Sequence, residues 1–359
     1  MPGDHDPIRL ILMNLEYDGG PEPRPGVLPR RWLDAVEGVL APLEPDWVAL
    51  TELTHSQTRP EASAQEREAA ERRWRALQRT LGMRGFRARM GQGRNPVGLL
   101  VRPTTFTIGQ QRDYPHVHRT PPASTVITLP EVPDVPIITA SFHHSFCSPV
   151  GRLAEVQEMT ALVDKVRAQR RPPDSGWSAC WLAGDTNSYP ASAGETVPPI
   201  DWSSPAITDI VHRQHRAQRQ TDGSWASCTV VDNVLLDCGM HDPARYAARV
   251  LGQPDALTAT AGFARPDQGG PCRIDHFYLD PWSVQAVTSV TVLDMTGLSD
   301  HAAVVVDLSR SRLIDALRRN FAPLAPQALI DGPTIPEGTP VTPSAAPESA
   351  IGAHQRSTA

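Results

Sequence analysis

The chain has 359 residues, 40% hydrophobic and 21% charged, which is enough apolar material for one large domain or two small ones and too much for a disordered protein. Its formal net charge of -6 and pI near 6.1 differ from those of a dedicated nucleic-acid binder, which is usually basic. They do not exclude a nuclease, because carboxylates gathered at a metal site subtract from the total. Five cysteines (Cys147, Cys180, Cys228, Cys238 and Cys272) are odd in number and lack C-x-x-C spacing, so they read as free thiols, not a disulfide framework or zinc ribbon.

The polar start and the short apolar run 8–12 do not suit a signal peptide, and no stretch reaches the ~20 apolar residues of a membrane span. A cytoplasmic protein without a transmembrane segment is expected. Residues 8–13 read as a buried strand with Asn14 at its carboxyl end, before the turn former Asp18-Gly19-Gly20-Pro21. Residues 31–40 have helical spacing. Residues 47–50 form a second buried strand that delivers Glu52. The clearest helix spans 65–81, with Trp74, Leu77 and Leu81 on one face. Residues 86–90 and 97–101 flank Gly91-Gln92-Gly93 as a hairpin-like pair.

Strands follow at 125–129 and 137–142, the second ending at His143-His144. Residues 151–170 are helical, with Leu153, Val156, Met159 and Val163 at core spacing. A short strand, 180–183, ends in Gly184-Asp185. Strands at 274–279, 290–293 and 302–308 and a helix at 309–321 complete the folded part, expected over 7–322. Pro, Ala, Ser, Thr and Gly dominate 323–359, the signature of a disordered tail. Strands mixed with helices over some 300 residues imply an α/β fold.

Polar residues recur at the strand ends, where α/β sheets tend to gather ligands. Glu52 there is either a surface or cap carboxylate or a hard ligand for a divalent cation. Asp185 and Asn187 stand two apart, so in extended backbone both address the same side; the competing reading is an ordinary turn. A His beside an Asp, as in Asp300-His301, is either a surface turn or a proton donor held by a second carboxylate. His143-His144 reads as partly exposed packing or as a ligand. His116-x-His118 is a weak metal candidate inside a proline-flanked loop. The clusters Arg213, His215, Arg216, Arg219 and Arg167, Arg170, Arg171 are solvated faces or contacts to a nucleic-acid backbone.

Taken in order, Asn14, Glu52, His143, Gly184-Asp185-Thr186-Asn187, Arg273-Ile274-Asp275 and Ser299-Asp300-His301 resemble the motif set of the endonuclease/exonuclease/phosphatase superfamily. This superfamily contains deoxyribonuclease I-like and exonuclease III-like metal-dependent phosphoesterases. The resemblance covers about residues 8–308 and includes Gly151-Arg152 after the histidine and Leu235-Leu236-Asp237-x-Gly-Met-x-Asp242 before the Arg-Ile-Asp strand. It implies a four-layer α/β sandwich, two packed mixed β-sheets flanked by helices. It also implies a divalent cation, Mg2+ or Mn2+, on Glu52 with Asn14 and Asp300 nearby. Asp185 would orient or deprotonate the attacking water, and Asn187 and Asn14 would position the nucleophile and a phosphate oxygen. His143 and His301 would meet the phosphoryl oxygens, and Asp275 would hold His301. Met13, Thr51, Thr186 and His276 depart from the residues common beside those motifs. The substrate implied is nucleic acid or another phosphate ester. A phosphatase or phosphodiesterase on a small molecule or phospholipid headgroup and a catalytically silent binding module on the same fold are the alternatives to an endonuclease or exonuclease.

Overall fold

The computed structural model describes residues 7–112, 117–164, 177–191 and 194–326. His116, the Arg167, Arg170 and Arg171 cluster, the end of the 151–170 helix and the tail from 327 onward lie outside them. In chain order the elements are β1 (Ile8–Asn14), α1 (Arg30–Leu33, continued by a π-helical segment, Asp34–Leu40), β2 (Trp47–Thr51), α2 (Ala64–Leu81), β3 (Arg84–Arg87), β4 (Gly98–Val101), β5 (Thr107–Arg112), β6 (Ala123–Leu129), β7 (Val132–His143), α3 (Pro149–Val163), β8 (Ala179–Asp185), α4 (Ile210–Arg216), β9 (Ala217–Arg219), β10 (Trp225–Ser227), α5 (Val230–Asp237), α6 (Pro243–Val250), β11 (Asp275–Leu279), β12 (Val287–Leu293), β13 (Ala303–Leu308) and α7 (Arg310–Leu317).

The strands form a mixed six-stranded sheet, β12-β13-β1-β2-β4-β3, and a mixed five-stranded sheet, β11-β8-β7-β6-β5. Their apolar runs are continuous because both faces are covered, yet the two-residue alternation still sorts side chains between layers. On β1, Leu10 and Leu12 enter the core between the sheets with Ala49, Leu99, Trp181, Phe277 and Val306. Their neighbours Ile11 and Met13 face outward to Trp32, Val36, Trp74 and Leu77 of α1 and α2. In the other sheet, Ile138, Ala140 and Phe142 face outward to Val156 and Met159 of α3 and Leu235 of α5. Two sheets with helices outside each make four layers, as the resemblance implied.

The helices begin where the sequence supplies caps. Ser63 and Glu66 form a capping box at α2, and Gly82, at φ 62°, ends that helix. Ser148 caps α3 ahead of Pro149, and Ser309 caps α7. Several boundaries differ from the sequence reading: β7 begins at Val132 instead of 137 and β12 at Val287 instead of 290. The 86–90 strand lies at Arg84–Arg87, where Gly85 leaves room for the Trp74 ring; a Cβ there would fall 2.3 Å from it. The last helix stops at Leu317, and Arg319 is left-handed at φ 54°. Among the described residues no helix is long and apolar enough to cross a membrane. None of the five cysteines is in a disulfide, and Cys180, Cys228 and Cys272 are buried.

Candidate active site

Parallel pairing of β1 with β2 and of β7 with β8 brings four carboxyl ends to the same edge of the sandwich. β13 runs antiparallel to β1 and β11 antiparallel to β8, so their amino ends join that edge. The register is specific: Asp185 sits opposite His143 on one side and opposite Asp275 on the other. Gly184 makes this pairing possible. A Cβ at that position would lie 1.9 Å from the Phe142 carbonyl oxygen, so only glycine lets β7 and β8 close up just before the aspartate. A hydrogen bond from Ser141 Oγ to the Leu50 carbonyl, 3.2 Å, ties the two sheets together nearby.

His301 Nδ1 donates to Asp275 Oδ2 at 2.8 Å. His143 Nε2 lies 3.4 Å from Asp185 Oδ2. Ligand atoms of Asp185, Asp275 and His301 all lie within 4.8 Å of one another. Burial by itself would lower the His301 pKa; the charge and hydrogen bond of Asp275, then Asp185 and Asp300, outweigh it and push it up to about 10. Burial would raise the Asp185 pKa, but His143, His301, Arg216 and the Asn187 N–H hold it below the ordinary carboxylate value. The Asn187 backbone N–H donates to Asp185 Oδ1 at 2.8 Å, and its side-chain NH2 donates to the His144 carbonyl at 2.8 Å.

A second acidic group faces this one. Glu52 Oε2 accepts the Tyr17 N–H at 3.0 Å. Asn14 Oδ1 accepts the Glu16 N–H, while its Nδ2 is buried without a hydrogen-bond partner. Ser299 Oγ donates to the Asn14 carbonyl at 2.8 Å, which fixes the approach to Asp300-His301. Restricted solvation and the negative charges of Glu52 and Asp185 raise the Asp300 pKa, against the pull of His301. The backbone is strained here. Of seven non-glycine residues at positive φ among the described residues, Glu16, Tyr17, Asp18, Glu52 and Asn187 stand in the loops of this edge. A mixed-charge groove of about 710 Å3, lined in part by Thr54, His55, Arg59 and Arg94, adjoins the Glu52 turn.

Several supporting residues escaped the sequence reading. Thr260 Oγ1 accepts the N–H groups of Ile274 and Asp275 at 3.1 Å each, and its carbonyl accepts the Ala302 N–H at 2.7 Å. One threonine thus sets the spacing between Asp275 and His301. Behind β11, Arg273 bonds Asp242 at 2.7 Å and Glu195 at 2.8 Å, and Arg245 bonds Glu195 at 2.8 Å and Asp232 at 2.6 Å. Arg273 of the Arg-Ile-Asp motif therefore anchors the strand. A usable signal was present: Asp242-Pro243 is a helix cap followed by a first-turn proline, and it starts α6.

Of the other candidates, His144 turns away from the site to Glu155, with Nδ1 3.3 Å from Oε2. His118 packs near His144, its ring 6.4 Å away and its pKa pushed down to about 4, by burial first and then by His144. Arg213 and Arg219 cover the Trp225 ring, whereas His215 meets Phe146 edge-on and the Arg216 charge reaches Asp185.

Solved structures with this arrangement of strands and helices are on record. An endonuclease/exonuclease/phosphatase protein of Bacteroides vulgatus superposes over 84% of this chain and 98% of its own, with TM-score 0.53 and 14% identity. This chain has the endonuclease/exonuclease/phosphatase fold. The human Nocturnin catalytic domain, solved with a bound sulfate anion, matches at TM-score 0.50 and 14% identity over 84% of this chain and 93% of its own. A 3'-5' exonuclease of Neisseria meningitidis matches at TM-score 0.50 and 18% identity over 84% and 99%. No protein-family model and no curated protein matches the sequence.

Proposed function

We propose that the chain is a divalent-metal-dependent phosphoesterase that hydrolyses phosphodiester bonds in nucleic acid. The observation that carries the reading is the joined pair of couples, His301–Asp275 and His143–Asp185, beside Glu52 and Asp300 on one strand edge. Solved proteins of this fold include a named exonuclease, which supports a phosphate-ester substrate.

The donor set fits a hard cation. Glu52 and Asp300 are carboxylates close enough for one to raise the pKa of the other, and a divalent ion relieves that repulsion. In this reading Glu52 and Asp300 hold Mg2+ or Mn2+, with Asn14 at the margin. The cation supplies charge neutralisation for the phosphoryl oxygens when bound. Asp185, Asp275 and His301 also converge, but that trio suits an oxygen-seeking cation less well. One member is an imidazole whose Nδ1 is engaged by Asp275.

The chain's own groups then divide the work. Asp185, kept ionised, orients the attacking water and accepts its proton. Asn187 fixes Asp185 through its backbone N–H. His301, held protonated by Asp275, donates to a non-bridging phosphate oxygen as negative charge builds there. His143 flanks the same phosphate. Purified protein should cleave plasmid, oligonucleotide or RNA with Mg2+ or Mn2+ and stop when EDTA is added. If nucleic acids stay intact while a phospholipid or phosphomonoester is hydrolysed, the substrate assignment is wrong; if nothing is hydrolysed, the enzymatic reading is wrong.

A further inference from the structure

Most Phe, Tyr and Trp rings among the described residues are buried or half-buried. Among the described residues the exposed Phe, Tyr and Trp rings are Tyr17, Phe146 and Phe263, at 55%, 49% and 52% exposure. Their positions are not scattered. Tyr17 lies three residues after Asn14 and gives its N–H to Glu52. Phe146 lies three residues after His143. Phe263 lies three residues after Thr260, the clamp on Asp275, and two before Arg265, whose guanidinium interacts with Asp300. Three residues span at most about 11 Å, so the backbone at each ring lies within that distance of Asn14, His143 or Thr260.

One of the rings has a cation against it, and another cation stands at the site. The Arg119 guanidinium stands 5.4 Å from the Phe146 ring centre, and Arg216, on α4, bears on Asp185. Exposed rings and guanidinium groups around a candidate phosphate site match a polyanion whose aromatic bases are free to stack. Paired bases in a duplex are already stacked and leave no face for a protein ring.

We infer that the substrate is single-stranded or locally unpaired nucleic acid, with Tyr17, Phe146 and Phe263 stacking on the bases that flank the scissile phosphate. The inference rests on the phosphodiesterase reading above and narrows its substrate. A membrane surface is the weaker match. The rings come from three separate loops, whereas a bilayer selects one continuous apolar face.

The test compares kcat/KM on one oligodeoxynucleotide, single-stranded and as its duplex, with Mg2+ or Mn2+. The enzymes are the unaltered protein, the triple variant Tyr17→Ala, Phe146→Ala, Phe263→Ala, and Phe146→Trp. The unaltered protein should prefer the single strand by about tenfold or more, the scale of one or more stacked bases. The triple variant should lose that preference through KM, and Phe146→Trp should keep it. Equal cleavage of both forms by the unaltered protein, or an unchanged preference in the triple variant, overturns the inference and leaves the phosphodiesterase reading standing. No cleavage of either form overturns both. Sedimentation with phosphatidylcholine vesicles that is lost in the triple variant would make the rings membrane contacts and overturn the inference.

Discussion

Replacing Asp275 with Asn removes one negative charge from the His301 contact while keeping an oxygen that can accept its hydrogen bond. Both groups are nearly inaccessible, at 11% and 1% side-chain exposure, so water does little to screen the pair. The rise of His301 from its ordinary 6.5 to about 10 is a preference for imidazolium of ~5 kcal/mol, shared among Asp275, Asp185 and Asp300. Asp275 is the largest raising contribution, so its loss should return His301 toward neutrality by one pH unit or more, ~1.4 kcal/mol at least. The assay is a nitrogen-detected NMR titration of the imidazole in metal-free protein, paired with kcat/KM against pH. The alkaline limb of that profile should move to lower pH with the His301 titration, and the rate should fall about tenfold or more in the range where the imidazole then loses its proton. Stability follows with a definite sign. A raised histidine pKa stabilises the fold fully below pH 6.5, and that contribution fades as pH rises toward 10. Asp275→Asn should flatten this loss. A His301 titration that does not move, or an unaltered rate, would refute the coupling.

Thr260→Val strips the acceptor from two buried N–H groups and should cost about 1–3 kcal/mol in urea unfolding, with a lowered kcat. Thr260→Ser should restore both, and failure of that rescue would sink the clamp role. Glu52→Gln should weaken Mn2+ binding by about tenfold or more in calorimetry; unchanged affinity would move the metal elsewhere. Burial pushes the His118 pKa below its ordinary value, so its stabilising contribution is present above pH 6.5 and lost as pH falls through about 4. His118→Gln should therefore flatten the decline of Tm between pH 7 and 4, and parallel melting curves would contradict this.

The strands that frame the site were readable because their apolar runs are buried on both faces: 8–13, 47–50, 137–142, 180–183 and 274–279 each fall within an observed strand or overlap one by all but a residue. Polar residues just past those runs were readable as edge residues for the same reason. The edge strand β5, with the sequence Thr-Ile-Gly-Gln-Gln-Arg, was not, since it is short of apolar residues and its register shifts. Helix α4 escaped because it buries no residue of its own, leaving no periodic stripe to find. Nor could spacing reveal which charges pair. Glu195 meets Arg245 and Arg273, 50 and 78 residues away, and only the folded chain makes those contacts. Likewise the sequence displays Asp185 and Asp275 as separate motifs, while the register of β8 and β11 makes them direct neighbours.

The most direct test of the central claim is single-turnover cleavage of an oligonucleotide with saturating Mn2+, comparing the unaltered protein with Asp185→Ala. Loss of the group that orients and deprotonates the water should slow the chemical step by about 100-fold or more, with the melting temperature of the variant reported alongside. Equal rates in the two proteins would contradict the account.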